Sequence, residues 1–325
     1  MRQAVLPLLL AVELAVFAQP SGVHFGTWRE FLETTGEYGR NLLIQATPLL
    51  VLVPGMTIVM MTAGIDLSVG SMVALVAGVM ATFEPSGSFW LTAVPLGVVL
   101  AVALGGFNGL LIARLDVPPI IATLGTLIFY RGLCQAVLGS REPAPFVDVP
   151  GYEWWGTWAG SIILAATVVI SGGAYFHFSR WRREILMIGG NRIAARYAGI
   201  PVSWRLVQVY ALMGLLCFPA ALSVTAHDGA VTASSLEGYE LQVIVAVVLG
   251  GTRVSGGFGS IVGSVYGVLL VAVMQEGLRN ANKLEWLART LPFKVDSSLN
   301  NVLLGALLIA GVWLNTHVPA ARRQG

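Results

Sequence analysis

Charge is scarce in this chain. Of its 325 residues, 11% are Asp, Glu, Lys or Arg, against about 25% in soluble domains. Lysine occurs twice, as Lys283 and Lys294, followed by Leu284 and Val295. A phosphate-cradling loop of the P-loop type needs Gly-Lys-Ser or Gly-Lys-Thr, so that nucleotide site is excluded. Cysteine also occurs twice, Cys134 and Cys217, both inside apolar runs. They read as packing residues, and no disulfide or metal framework follows from them. The four histidines, His24, His177, His227 and His317, have no metal-ligand spacing among them. With no cluster of His, Asp, Glu or Cys at active-site spacing, a membrane-embedded enzyme is disfavoured. No catalytic residue, metal or cofactor is expected.

What the chain does have is apolar surface: 56% hydrophobic residues and a mean hydropathy of +0.76. A soluble core of this size cannot hide that much, so the expectation is an all-α polytopic membrane protein. Apolar runs divide it into about ten transmembrane helices, several of them short for a ~30 Å hydrocarbon core. Broken or re-entrant segments are therefore expected. The whole of 1–325 reads as a single transmembrane domain. The first run, Ala4 to Ala18, is read as an uncleaved span, because Ala15-Val16-Phe17 is not a small-x-small cleavage site. The next, Leu42 to Thr62, is interrupted by Pro48 and Pro54, and Gln19 to Arg40 before it reads as a polar external segment.

The longest cluster of fixed positive charge lies between two apolar runs. Arg180, Arg182, Arg183, Arg192, Arg196 and Arg205 are accompanied there by one acid, Glu184. Such a cluster belongs on the cytoplasmic face. Within it, Asn191 can cap a short helix, Ala194 and Ala195 favour one, and Gly199 can end it in a left-handed conformation. Two readings stand: a basic loop that fixes topology, or a short exposed helix on which a soluble partner docks. With the amino terminus inside and the spans alternating, the inner segments carry excess positive charge and the outer ones excess negative charge. Both termini are then cytoplasmic.

Polar residues inside the apolar runs mark candidate chemistry. Asp66 sits in Gly64-Ile-Asp-Leu-Ser-Val-Gly70, between two apolar segments. An ionisable group at this depth is a functional-site candidate, and it could equally cap the next helix, as could Ser68. Asn108 lies among small residues, Gly105, Gly106 and Gly109, that permit close helix packing. Thr123, Thr126 and Tyr130 recur at three- and four-residue spacing and share a helix face, either for interhelical hydrogen bonds or as a polar stripe along a conduit. The stretch Gly250 to Gly259 holds five glycines in ten residues and reads as a tight turn between spans.

Three segments taken together, GIDLSVGS (Gly64 to Ser71), PPIIATLGTLIFYRGL (Pro118 to Leu133) and IGGNRIAARYAGI (Ile188 to Ile200), resemble the membrane subunits of bacterial sugar ABC importers of the ribose, xylose and rhamnose type. A fourth, GYELQVIVAVVLGGTRVSGGFGSIVGSVYG (Gly238 to Gly267), is similar to that family's C-terminal signature. The resemblance runs from about Leu42 to the C-terminus and is specific to the family, not to the sugar. It implies a ten-helix permease in the bacterial inner membrane that works as a homo- or heterodimer. A soluble sugar-binding protein feeds it outside, and a separate tandem ATP-binding subunit drives it inside; no nucleic acid takes part. The cytoplasmic loop 182–200 becomes the coupling segment, through Gly189, Gly190, Asn191, Arg192, Ala194, Ala195, Arg196 and Gly199. Asp66, Asn108, Thr123 and Thr126 become the candidate substrate pathway. Where the family often has Glu-Leu-Asp this chain has Glu240-Leu241-Gln242, which removes any acid from position 242. The rival reading is an ion-coupled secondary transporter of a polar solute. It would rely on Asp66, Glu13 and Glu240, with no inverted repeat evident in the sequence.

Overall fold

A computed structural model describes residues 28–83, 89–146, 149–281 and 297–317. The protein is a bundle of α-helices. Among the described residues six helical stretches are long and apolar enough to cross a membrane and three more apolar helices are shorter. The run from Ala4 to Ala18 lies outside the described residues.

The first helix, α1, spans Trp28–Met61. It differs from expectation at both points the sequence made prominent. It begins within the polar stretch, and it passes through Pro48 and Pro54 without ending. Packing accounts for this, because Leu49 to Val53 are buried among neighbouring helices, and neighbours re-satisfy the backbone groups that proline frees. Next comes α2, Val69–Met80, with eleven of its twelve residues buried. Helix α3, Phe89–Arg114, and α4, Pro119–Leu138, follow. Pro119 stands at the first turn of α4, where its missing N–H has no intrahelical partner to lose.

After α5, Trp158–Phe178, the basic interval folds as two helices, α6, Arg180–Gly190, and α7, Arg192–Tyr197. The chain then crosses back through α8, Val202–Asp228. It continues into α9, Tyr239–Leu249, then α10, Ile261–Ala281, and α11, Ser297–His317. Helix α8 is the centre of the bundle. Gly105 and Gly109 of α3 meet its backbone at Tyr210 and Val207, and Gly55 of α1 faces Met213 and Leu216. A Cβ on Gly105 would overlap the Tyr210 carbonyl oxygen, so the small residues of α3 set this close approach.

The ends of the helices define two faces. One carries α6 and α7 and is called here the basic face. Met61 at the end of α1 lies on it, since the Gly257 N–H donates to the Met61 carbonyl at 2.9 Å and Gly189 abuts the same oxygen. On the opposite face the end of α8 meets the 139–157 connection. There β1, Ala144–Pro145, pairs antiparallel with β2, Ala230–Val231, and the Phe146 N–H donates to the Gly229 carbonyl at 2.9 Å. Helices α1 and α8 therefore run in opposite directions.

The two short helices begin inside the bundle. With 12 and 11 residues they are about 18 and 16 Å long, too short for the ~30 Å core. Their starts meet: a Cβ on Gly70 would lie 2.5 Å from the Leu236 carbonyl oxygen and 2.8 Å from Glu240 Oε2. From there α2 runs to the opposite face, where Gly78 packs on Leu138, and α9 runs to the basic face, where Gly250 packs on Ser264. The order long, short, long thus occurs twice with reversed sense, in α1 to α3 and in α8 to α10. This inverted order is not evident in the sequence. The repeat lies in helix lengths and directions, which residue types do not display.

Candidate functional site

Two groups of residues stand out, one inside the bundle and one on the basic face. The inner group forms at the break between α1 and α2. Asp66 is fully buried, with Ser68 and Asn108 beside it. Its Oδ1 accepts from the Ser68 backbone N–H at 2.9 Å and from the Ser68 hydroxyl at 2.6 Å. Asp66 thus organises the turn that leads into α2, and Ser68, at the N-cap, makes no side-chain capping bond. Asn108 Nδ2 donates to Ser68 Oγ at 2.8 Å, joining α3 to the break. Tyr130 OH donates to the Leu104 carbonyl at 2.8 Å and reaches Asn108 Oδ1 at 3.4 Å.

On α4, the Thr123 hydroxyl lies 3.2 Å from the Ile65 carbonyl and 2.9 Å from the Pro119 carbonyl, and the Thr126 hydroxyl lies 3.2 Å from the Thr123 carbonyl. The structure therefore brings Asp66, Asn108 and Thr123 to one place, with Thr126 a turn further along α4. All four are buried within the single chain. Two polar atoms here have no hydrogen-bond partner, Asp66 Oδ2 and the Tyr210 hydroxyl. Tyr210 was not singled out from the sequence. The approach of its hydroxyl to Gly64, where a Cβ would fall 2.5 Å away, joins residues far apart in the chain, so no local pattern could have shown it.

The second group is the basic segment. Asn191 caps α7 as its residue type suggests: Oδ1 accepts from the N–H groups of Ile193 and Ala194 at 2.9 and 3.0 Å. Gly199 ends the turn with φ +78. Ala195 is the residue that anchors α7 to the bundle, at 1% exposure. Around it Ile193 is 66% and Tyr197 90% exposed, and Ala194, Arg196 and Gly199 are exposed as well. The sequence reading missed α6. Its signal was present as Trp181, Ile185 and Ile188, spaced four and three apart. Ile185 and Ile188 are buried and Trp181 packs edge-on to Phe176 at 5.8 Å. The Glu184 carboxylate accepts from Arg205 Nε, and Arg205 Nη1 donates to Gln208 Oε1 at 2.9 Å, which ties α6 to α8.

The two groups are joined through backbone. A Cβ on Gly189 would overlap the Met61 carbonyl oxygen and fall 2.5 Å from the Gly257 nitrogen. Gly256, at φ +82, lies against Ala63 and the Gly189 carbonyl. Ala63 itself is left-handed, at φ +60, and one residue on is Gly64, which opens the break holding Asp66. The glycine-rich stretch is thus a tight turn, as its composition suggests, and also the partner against which α6 ends. Gly190, by contrast, has open space where a side chain would go. Among the described residues no group of three or more His, Cys, Asp or Glu could hold a metal ion.

The opposite face is closed by aromatic rings. Phe146 and Tyr152 stack at 5.0 Å, and Phe89 meets them edge-on at 6.3 and 5.7 Å. The hydroxyls of Tyr152 and Thr225 are 2.6 Å apart, and Trp90 Nε1 donates to the Pro150 carbonyl at 2.9 Å. Burial pushes the Tyr152 hydroxyl above its ordinary range.

Comparison with known proteins adds the following. The family model described as branched-chain amino acid transport system / permease component matches residues 40–312. The ribose import permease protein RbsC of Escherichia coli (strain K12) is 35% identical over 251 residues, covering 73% of this chain and 76% of that protein. The ribose import permease protein RbsC of Bacillus subtilis (strain 168) is 37% identical over 243 residues, with coverage of 73% and 76%. An autoinducer 2 import system permease protein, LsrD of Photorhabdus laumondii, is 30% identical over 267 residues, with coverage of 79% and 76%. No solved structure matches the chain.

Proposed function

We propose, from the premise that this chain belongs to the permease family described as branched-chain amino acid transport system / permease component, that it is the membrane subunit of an ABC importer that carries a sugar across the bacterial inner membrane. The import permeases among its relatives, named for ribose and autoinducer 2, support a small polyol-like cargo. ATP hydrolysis belongs to a separate tandem ATP-binding subunit, in keeping with the absence of a Gly-Lys-Ser or Gly-Lys-Thr motif here. Two permeases, alike or different, enclose the pathway, and a soluble sugar-binding protein delivers to the face opposite α7. The basic face is cytoplasmic, as its arginines favour, and the termini are assigned to the same side.

The observation that carries this reading is the standing of α7. A capped helix that stands on the basic face with Ile193 and Tyr197 exposed offers an apolar and basic surface on which a soluble partner can dock. Its route into the bundle is Gly189 against Met61 and Ala63 against Gly256. In this mechanism the ATP-binding subunits close and carry α6 and α7 with them. The movement reaches the break at Gly64 to Ser68 through those backbone contacts. Opening of the break exposes Asp66, Asn108, Thr123 and Thr126, which are buried in the single chain, to the substrate pathway, where hydroxyl and amide groups hold a neutral sugar weakly enough to release it.

Co-purification from native membranes in mild detergent tests this. One tandem ATP-binding chain per two permeases is the expected result, with assembly or ATP-driven uptake lost in Arg196→Glu. An ion-coupled transporter remains the second reading because Asp66 is a buried acid with an unpartnered oxygen. Uptake that resists ATP depletion and stops with an ionophore would establish it instead.

A further inference from the structure

We propose that residues 229–238 form a strap that gates the pathway from the outer side, with Arg131 as its latch. This rests on the importer reading for its purpose, though not for its mechanics. The segment leaves α8 at Gly229, φ +71, and enters α9 at Gly238, φ +85. Both ends thus turn at glycines in the left-handed region, where rotation meets no Cβ barrier. Between them Thr232, Ser234 and Ser235 bond to one another: the Thr232 N–H donates to Ser235 Oγ at 2.9 Å, and the Thr232 and Ser234 hydroxyls are 3.1 Å apart. The strap is therefore a self-contained turn between two hinges.

Polar attachments made by other elements hold it down. Ala233 is gripped at both backbone groups: its N–H donates to Glu142 Oε1 at 2.7 Å, and its carbonyl accepts from Arg131 Nη1 at 3.0 Å. Arg131 also faces Glu237 at 3.9 Å. Its side chain, 19% exposed, projects from the body of α4, and a charge so placed in a membrane helix calls for a function. The ladder of Ala144 with Val231 and Pro145 with Ala230 completes the attachment.

Beneath these points the strap covers the place where α2 and α9 begin. The Leu236 carbonyl sits over Gly70, two residues from Ser68 of the Asp66 network. Leu236 adopts φ +63, a strained conformation for a branched side chain that persists only while its surroundings hold it. Freed from Arg131, Glu142 and β1, the strap would swing on its two glycines and relieve Leu236, opening the start of α2 to the outside. Cys217 marks that spot: it is fully buried and its Sγ lies 3.9 Å from the Val69 carbonyl.

The test labels Cys217 with a membrane-impermeant maleimide added outside cells, in a Cys134→Ala background. Arg131→Gln should label at least fivefold faster than the parent, with Arg131→Lys in between. Adding Ala144→Cys with Val231→Cys, at paired positions whose spacing suits a disulfide, should return labelling to the parent rate once oxidised. Dithiothreitol, washed out before labelling, should undo that when the adduct is read at the Cys217 peptide by mass spectrometry. Equal labelling of parent and Arg131→Gln, in protein that remains monodisperse in detergent, overturns the proposal, as does a lock that leaves fast labelling unchanged. In vesicles with the partner proteins, radiolabelled ribose uptake should fall more than tenfold on oxidation of the locked variant. Undiminished uptake also overturns the strap while leaving the importer reading intact. A parent that shows no ATP-dependent ribose uptake counts against ribose as the cargo, a parent that brings down no ATP-binding chain counts against the importer reading, and in both cases the maleimide rates still decide the strap.

Discussion

The two faces of this protein are held by different means. On the face opposite α7 Phe89, Phe146 and Tyr152 pack ring against ring, and side chains from α3, α8 and the 139–157 connection interlock. On the basic face the main joint is backbone against backbone, with Gly189, Gly256, Gly257 and Met61 meeting where side chains are missing or excluded. Side-chain packing adds stability in proportion to the area removed from water. A glycine joint contributes little of that, and its value is geometric. Damage on the aromatic face should therefore appear as lost stability, and damage on the basic face as lost coupling.

The sharpest way to break that division is Tyr152→Ala. Removing a fully buried ring should cost about 4 kcal/mol, read as a lower melting temperature in detergent. ATP-binding subunits should still assemble on whatever protein folds, and a specific loss of assembly would blur the distinction between faces. Gly189→Ala comes next. It forces a methyl onto the Met61 carbonyl at a cost of about 3 kcal/mol, and uptake should disappear while the outer aromatic cluster keeps its tryptophan fluorescence. Gly190→Ala, facing open space, should behave as the parent in both assays. Asn191→Ala removes the α7 cap and should cost about 1 kcal/mol of that helix. The measurable result is weaker ATP-binding-subunit affinity at unchanged bundle stability. The smallest effect other than that null is expected for Ala63→Gly, which accommodates φ +60 without a Cβ. It should raise thermal stability by about 0.5 kcal/mol and leave uptake unchanged; a large fall in uptake would mean that the strain at Ala63 is itself used.

Much of this was legible in the sequence where the cause is local. Asn191 caps α7 and Gly199 ends it, and the glycines of 250–259 make a tight turn. Local chemistry decides each of these. The beginning of α1 was not legible, because charged residues before Leu42 looked like a loop and Pro48 looked like an interruption. Helix α6 hid behind its arginines, which pointed to the topology of the segment more loudly than Ile185 and Ile188 pointed to its amphipathic face. Of the inner site, the identity of Asp66, Asn108 and Thr123 could be proposed from sequence, but their meeting through Ser68 and Ile65 could not. Neither could Tyr210 or Arg131, whose roles depend on partners brought close only by the fold.

The shortness of α2 also bears on how the protein is made. A segment of 12 residues gives the insertion machinery too little apolar length to be accepted as a span by itself. Its exposed backbone ends have no place among lipid tails. Helix α8, against which its start is buried, is synthesised only after α3 to α7. Until α8 arrives, α2 must therefore wait in a provisional position, sheltered by α1, α3 and α4, and the membrane-inserted chain has to rearrange before Asp66 finds its final surroundings. Completion of the core is thus a late event in biogenesis, and a truncated chain ending before Val202 should leave α2 accessible to proteases that spare it in the finished protein.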